Sequence, residues 1–184
     1  MAKDENEIVI QNIVVSADLK TKLPLEHIAL ELEDAEYEPE SFPGLVYRIK
    51  DPKASLLIFT TGKIICAGTK SYDIAEKAVR KVVEDLKRIG VEIKEEPEFK
   101  IENIVASANL NKKFDLNTIV YELGNCEYEP EQFPGLVYRM DDPQVVFLIF
   151  NSGRLVCTGA RSRKEVEEAV EKLKKELEAI GAMK

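Results

Sequence analysis

The chain has 184 residues, 45% of them hydrophobic and 33% charged, with a formal net charge of −8. That length suits one large domain or two small ones that share a core. No apolar run reaches the roughly 18 residues of a membrane span, and the acidic balance speaks against binding nucleic acid by bulk charge.

In chain order, residues 1–7, MAKDENE, are a polar acidic tail with the features of neither a secretory nor a transit signal, so a cytoplasmic location is expected. Ile8–Ala17 reads as a strand rich in Ile and Val. A short helix follows, with Pro24 near its first turn and Leu25, Ile28, Ala29 and Leu32 on its apolar side. Ala35–Glu38 suggests a brief strand. Three more are expected at about Leu45–Ile49, Ala54–Thr60 and Lys63–Gly68, set off by turn signals at Phe42–Gly44, Asp51–Pro52 and Thr61–Gly62. A long amphipathic helix opens at Ser71, carries Ile74, Ala78, Val82, Leu86 and Ile89 along one face, and stops at Gly90. The charged run 94–98, broken by Pro97, reads as a linker.

The whole order then recurs. EYEPESFPGLVYR at Glu36–Arg48 returns as EYEPEQFPGLVYR at Glu127–Arg139, differing only where Ser41 becomes Gln132. QNIVVSA at Gln11–Ala17 returns as ENIVASA at Glu102–Ala108, and LLIFTTGKIICAG at Leu56–Gly68 as FLIFNSGRLVCTG at Phe147–Gly159. The offset is constant (103 − 12 = 91) and needs no gap. In the second copy Asp115 caps the short helix, Leu116, Ile119, Val120 and Leu123 form its apolar side, and Gly124 closes it. The last helix opens with Ser162 and Glu165 at capping-box spacing and stops at Gly181. So long a period, present only twice, means a duplicated domain half and not a solenoid. The repeats span 8–93 and 99–184, and each is an antiparallel sheet with two helices, an α+β arrangement within one compact domain.

Side chains on a strand alternate between faces. Here both sets are largely apolar, yet two helices reached by short connections cover only one face. The other set contains Val14, Leu57, Phe59 and Ile65, with copies Val105, Leu148, Phe150 and Val156. Such a patch either binds a ligand or pairs with another sheet, as in a sandwich or homodimer. Its fringe of Arg48, Lys63 and Lys70, repeated as Arg139, Arg154 and Arg161, suits phosphates better than a dimer core. Asn12 and Asn103 add an amide to each half, able to face a base edge or to bond a neighbouring backbone. The acids gather in the tail, the EYEPE segments, the linker and the outward helix faces; most of the open face is expected to be free of them, with Asp141 at a strand end as an intruder.

No catalytic set emerges. His27 is the only histidine and has no Ser or Cys partner at an informative spacing. Walker, GxGxxG and DxDxD patterns are absent. Cys66, Cys126 and Cys157 lack metal-ligand spacing and read as buried free thiols, so neither a cofactor nor a metal is expected, and the chain reads as a non-enzyme.

QNIV/ENIV, EYEPE-FPGLVYR, LIF-GK/R and the glycine-cation strand ends resemble the TATA-box-binding protein family in its compact archaeal form, from Ile8 to Gly181. The resemblance implies a saddle: a ten-stranded antiparallel sheet with four helices on its convex side, its concave face on the minor groove of AT-rich promoter DNA. It implies wedge pairs, Phe42 with Phe59 and Phe133 with Phe150, that enter base steps and bend the duplex, a use of apolar wedges of which this family is itself the standard instance. It places Asn12 and Asn103 on central bases, together with the pair Ala67 and Thr158, where the family often has threonine in both. Val14, Leu57, Ile65, Val105, Leu148 and Val156 would pack on the groove floor. Arg48, Lys63, Lys70, Arg139, Arg154 and Arg161, with Thr61 and Ser152, would reach phosphates. Glu129, Glu131 and Gln132 would contact transcription factor B, which with RNA polymerase completes the partner set; no small-molecule substrate and no membrane is implied. In a cell without a nucleus such a protein lies with the nucleoid. Two rival readings are a sequence-tolerant platform for single-stranded nucleic acid, with phenylalanines stacking bases, and a hydrophobic protein-interaction scaffold.

Overall fold

The computed structural model describes residues 8–183; the acidic tail at 1–7 lies outside them. Among the described residues there are ten strands and four α-helices, and the fold is α+β with the strands in one antiparallel sheet. Compactness divides the chain into two units, residues 12–102 and residues 8–11 with 103–183.

The first unit begins on β1 (Ile8–Asp18), followed by helix α1 (Leu25–Glu31), then β2 (Ala35–Tyr37), β3 (Leu45–Lys50), β4 (Lys53–Ile58), β5 (Lys63–Thr69) and helix α2 (Tyr72–Arg88). Its strands hydrogen-bond in the order β2-β3-β4-β5-β1. The second unit repeats this with β6 (Glu98–Asn109), α3 (Leu116–Glu122), β7 (Cys126–Glu127), β8 (Leu136–Asp141), β9 (Gln144–Ile149), β10 (Arg154–Ala160) and α4 (Arg163–Ala179), in the order β6-β10-β9-β8-β7. Each unit also holds the start of the other's first strand. Residues 98–102 of β6 lie with the first unit, where the Ser16 hydroxyl donates to Glu102 at 2.7 Å, and residues 8–11 of β1 lie with the second, where Gln11 Nε2 donates to the Ser107 hydroxyl at 2.8 Å.

Strand parity sorts each half of the sheet as the sequence suggests. Leu45, Tyr47 and Ile49 of β3, Ala54, Leu56 and Ile58 of β4, and Ile64 and Cys66 of β5 are buried, and α2 packs over β4 and β5. In the second unit Leu136, Tyr138, Met140, Val145, Phe147, Ile149, Leu155 and Cys157 are buried in the same way, with α4 packed on β10. The long helices begin at true caps: Ser71 Oγ accepts from the Ile74 N–H, and Ser162 Oγ from the Glu165 N–H. Burying the apolar stripe of each helix, not its intrinsic propensity, is what holds it to the sheet.

Several local expectations shift. The buried stripe of α2 is Ala75, Ala78, Val79, Val82, Val83 and Leu86, whereas Ile74 is 39% exposed and Ile89 half-buried. Position 75 begins the i, i+3, i+4, i+7 series, and Ile74 lies about 100° off it around the helix. The turn after α3 takes its left-handed residue at Asn125 (φ 61°) and not at Gly124, since a short amide side chain tolerates that conformation. The Glu165 carboxylate reaches the N–H of Arg161, one residue before the Ser162 cap, so the capping box closes one residue early. Cys126 is half-buried, because it sits on the two-residue edge strand β7, while Cys66 and Cys157 are buried.

Candidate nucleic-acid interface

The uncovered face of each unit is an apolar floor with a charged rim. Val14, Leu57, Phe59, Ile65 and Ala67 in the first unit are all half-buried, as are Val105, Leu148, Phe150, Val156 and Thr158 in the second. Among the described residues the helices pack on the opposite face, where the buried set lies. Around them Arg48, Thr61, Lys63 and Lys70, and their counterparts Arg139, Ser152, Arg154 and Arg161, are exposed.

The repeated EYEPE segment proves to be a turn that delivers a phenylalanine. The Glu38 carbonyl accepts from the N–H groups of both Ser41 (2.9 Å) and Phe42 (3.0 Å); the Glu129 carbonyl does the same for Gln132 and Phe133. Phe42 thereby meets Phe59 edge to face, ring centroids 5.9 Å apart, and Phe133 meets Phe150 with the same separation. Both turn phenylalanines remain about two-fifths exposed (39% and 41%), which is unusual for a side chain of this size. Sequence reading missed why FPG ends in glycine. A Cβ on Gly44 would sit 2.8 Å from both the Phe42 and Phe59 rings, and one on Gly135 equally close to Phe133 and Phe150. Glycine is the space that lets each ring pair close.

Asn12 and Asn103 are anchored at bulges. The Oδ1 of Asn12 accepts from the Gly68 N–H at 3.0 Å, and that of Asn103 from the Gly159 N–H at 2.6 Å. Both glycines have positive φ (91° and 104°), and strand register shifts beside them. Only glycine takes this backbone easily, which turns its N–H out of the ladder and toward the amide.

The open face carries two acids besides Asp141: Glu36 on β2 pairs with Arg48 (3.4 Å) and Glu127 on β7 with Arg139 (3.5 Å). The strand register sets Glu36 opposite Val46 and Glu127 opposite Val137, on the uncovered side. Glu36 and Glu127 are the first acids of the two EYEPE segments. Asp141 does lie on this side, in register with Gln144, and its counterpart is Lys50. Glu129, Glu131 and Gln132 are exposed on the turn ahead of Phe133.

Chemistry elsewhere is quiet. Burial pushes the thiols of Cys66 and Cys126 up to about 11 and that of Cys157 to about 12, which keeps them protonated and unreactive at neutral pH. The His27 Nε2 donates to the Ile89 carbonyl at 3.0 Å, tying α1 to the end of α2. Among the described residues no cluster of three His, Cys, Asp or Glu side chains is arranged to hold a metal, and no helix is long and apolar enough to cross a membrane.

A family model described as transcription factor TFIID, or TATA-binding protein, matches the chain twice, at residues 7–89 and 98–180. The chain belongs to the TATA-binding protein family. The two matched segments are the two halves related by the offset of 91. Among relatives, the TATA-box-binding protein of Archaeoglobus fulgidus is 49% identical over 179 residues, covering 96% of this chain and 98% of that protein. That of Methanocaldococcus jannaschii is 50% identical over 169 residues, 92% of each. The solved structure of Methanococcus jannaschii TBP aligns with a TM-score of 0.87 at 49% identity, covering 95% of this chain and 98% of that one. The TATA-binding protein family is one of transcription factors and not of enzymes, which agrees with a site made of an apolar floor, ring pairs and cations.

Proposed function

We propose that the chain is a general transcription initiation factor that binds AT-rich promoter DNA through the minor groove and bends it. The observation that carries this reading is the pair of half-exposed phenylalanine couples, each at the edge of an uncovered apolar floor ringed by cations. Phe42 with Phe59 and Phe133 with Phe150 enter base steps, since an apolar ring lodges where stacking is locally broken. The half-buried floor residues press on the groove, and the exposed cations, with Thr61 and Ser152, meet phosphates. In this reading the two sequence repeats, 8–93 and 99–184 with 94–98 between them, are the two reading halves.

The exposed turn Glu129, Glu131 and Gln132 is the contact for transcription factor B, through which the complex reaches RNA polymerase. The protein works in the cytoplasm, with the nucleoid. The edge-to-face contact within each ring couple also disfavours a single-strand platform, which needs ring faces open to stacked bases.

Competition among an AT-rich duplex, its separated strands and a GC-rich duplex tests the reading, with bending followed by energy transfer between duplex ends. The AT-rich duplex should win and bend. Preference for the single strands, or binding without a bend, would defeat the proposal.

A further inference from the structure

The two halves differ where a strand carries Ala67 in one and Thr158 in the other, and this difference changes what each asparagine presents. In both halves the bulge glycine N–H can only donate, so it fixes the asparagine Oδ1 toward the backbone and leaves the Nδ2 group facing outward. In the first half Nδ2 of Asn12 has no partner among the described residues. In the second, Nδ2 of Asn103 donates to Thr158 Oγ1 at 3.2 Å.

Resting on the DNA-binding reading above, we propose that Ala67 and Thr158 make the protein read its two half-sites by different rules, strict for A·T on the Asn12 side and tolerant of G·C on the Thr158 side. In the minor groove an A·T pair offers only acceptors, while a G·C pair adds the guanine amino donor. The first half meets the groove there with amide hydrogens beside a methyl group, so a guanine amino group finds donors only. The second half adds a hydroxyl that has accepted one hydrogen bond from Asn103. Its own hydrogen serves an A·T acceptor, and its remaining lone pair accepts from guanine after the hydroxyl rotates. One side chain thus supplies both polarities, and a duplex with one G·C step is oriented by it.

The test is a set of AT-rich duplexes, each carrying a single G·C or inosine·cytosine pair at successive steps. Inosine lacks the amino group, so the affinity ratio between the two isolates that group. For the wild type the G·C penalty should differ between the two equivalent steps by about two- to tenfold, the worth of one hydrogen bond. Thr158→Ala should make the second half strict, Ala67→Thr should relax the first, and the double exchange should invert the pattern; Thr158→Ser should keep it. If the double exchange folds normally and leaves the pattern unchanged while Asn12→Ala and Asn103→Ala erase it, the hydroxyl has no such role, although the amides still read DNA. A wild type that tells inosine from guanine at no step overturns this proposal and the minor-groove reading together.

Discussion

Gly44 and Gly135 carry no side chain, yet they set the spacing of the ring couples. A methyl group at either position must push two aromatic edges aside, and those rings are partly exposed and able to move. Gly44→Ala should therefore cost little stability, within about 1 kcal/mol, while reducing the DNA bend seen by energy transfer. An unchanged bend would mean that ring spacing is unimportant. Phe59→Ala should likewise spare the fold and weaken bending. The other residue of consequence is Asp85, a buried residue of α2, which accepts from the Tyr47 hydroxyl (2.8 Å), Lys81 (3.0 Å) and Arg88 (3.2 Å). Burial alone would raise its pKa, but the hydrogen bonds from Lys81, Tyr47 and Arg88 outweigh this and hold the carboxyl below its usual range. Its contribution is complete above the unfolded value of about 3.9 and is lost as pH falls from there through the lower folded value. Thermal melts between pH 7 and pH 3 should show a fall in Tm that Asp85→Asn makes shallower. Equal acid sensitivity in the two proteins would remove Asp85 from the account.

Helices and turns were largely legible one at a time, because caps and periodicity are local signals. Ser71, Asp115 and Ser162 cap helices where they were expected to, and each accepts from a backbone N–H three residues on. Ser71→Ala should lower stability by about 1 kcal/mol in denaturant titration. The β4–β5 and β9–β10 turns carry a hidden constraint. A Cβ on Gly62 would run into the Thr21 carbonyl oxygen, and one on Gly153 into that of Lys112, at φ of 98° and 100°. Leu19 and Leu110 donate their N–H groups to the carbonyls of these same glycines, so the loop ahead of each short helix rests on the turn. Gly62→Ala should therefore cost more than the cap, at least about 1–3 kcal/mol from backbone strain, and a smaller loss than that of Ser71→Ala would contradict the packing. Thr61–Gly62 was readable as a turn. The opposing carbonyl was not, since it belongs to a segment 41 residues earlier (62 − 21).

At the scale of the molecule, a net charge of −8 must be reconciled with a polyanionic ligand. Six rim cations would give a salt slope no steeper than about −5 in logarithms, and the pairing of Arg48 with Glu36 and Arg139 with Glu127 should make it shallower. Burial of the apolar floor should then supply much of the affinity, with a large negative heat-capacity change. Calorimetry across salt and temperature checks both; a steep slope with a negligible heat-capacity change would mean that phosphate attraction dominates. Glu36→Gln should strengthen binding by freeing Arg48, and a weaker complex would show the pair to be a support.

By itself the sequence determined the duplication, the α+β class, the caps and the two faces of β1, β4, β5 and their copies, because the offset of 91 and the two strand and helix periods are carried by the order of residues alone. It also exposed the residues of the uncovered face, since parity leaves two apolar sets and the helices suffice for one. Only the tertiary structure decided which neighbours those residues met. The Glu36–Arg48 pair, the glycine gap between the rings, and the Asn103–Thr158 bond each join side chains on different strands or turns. Such contacts depend on register and on bulges at Gly68 and Gly159, which are set by packing across the sheet and leave no periodic trace along the chain.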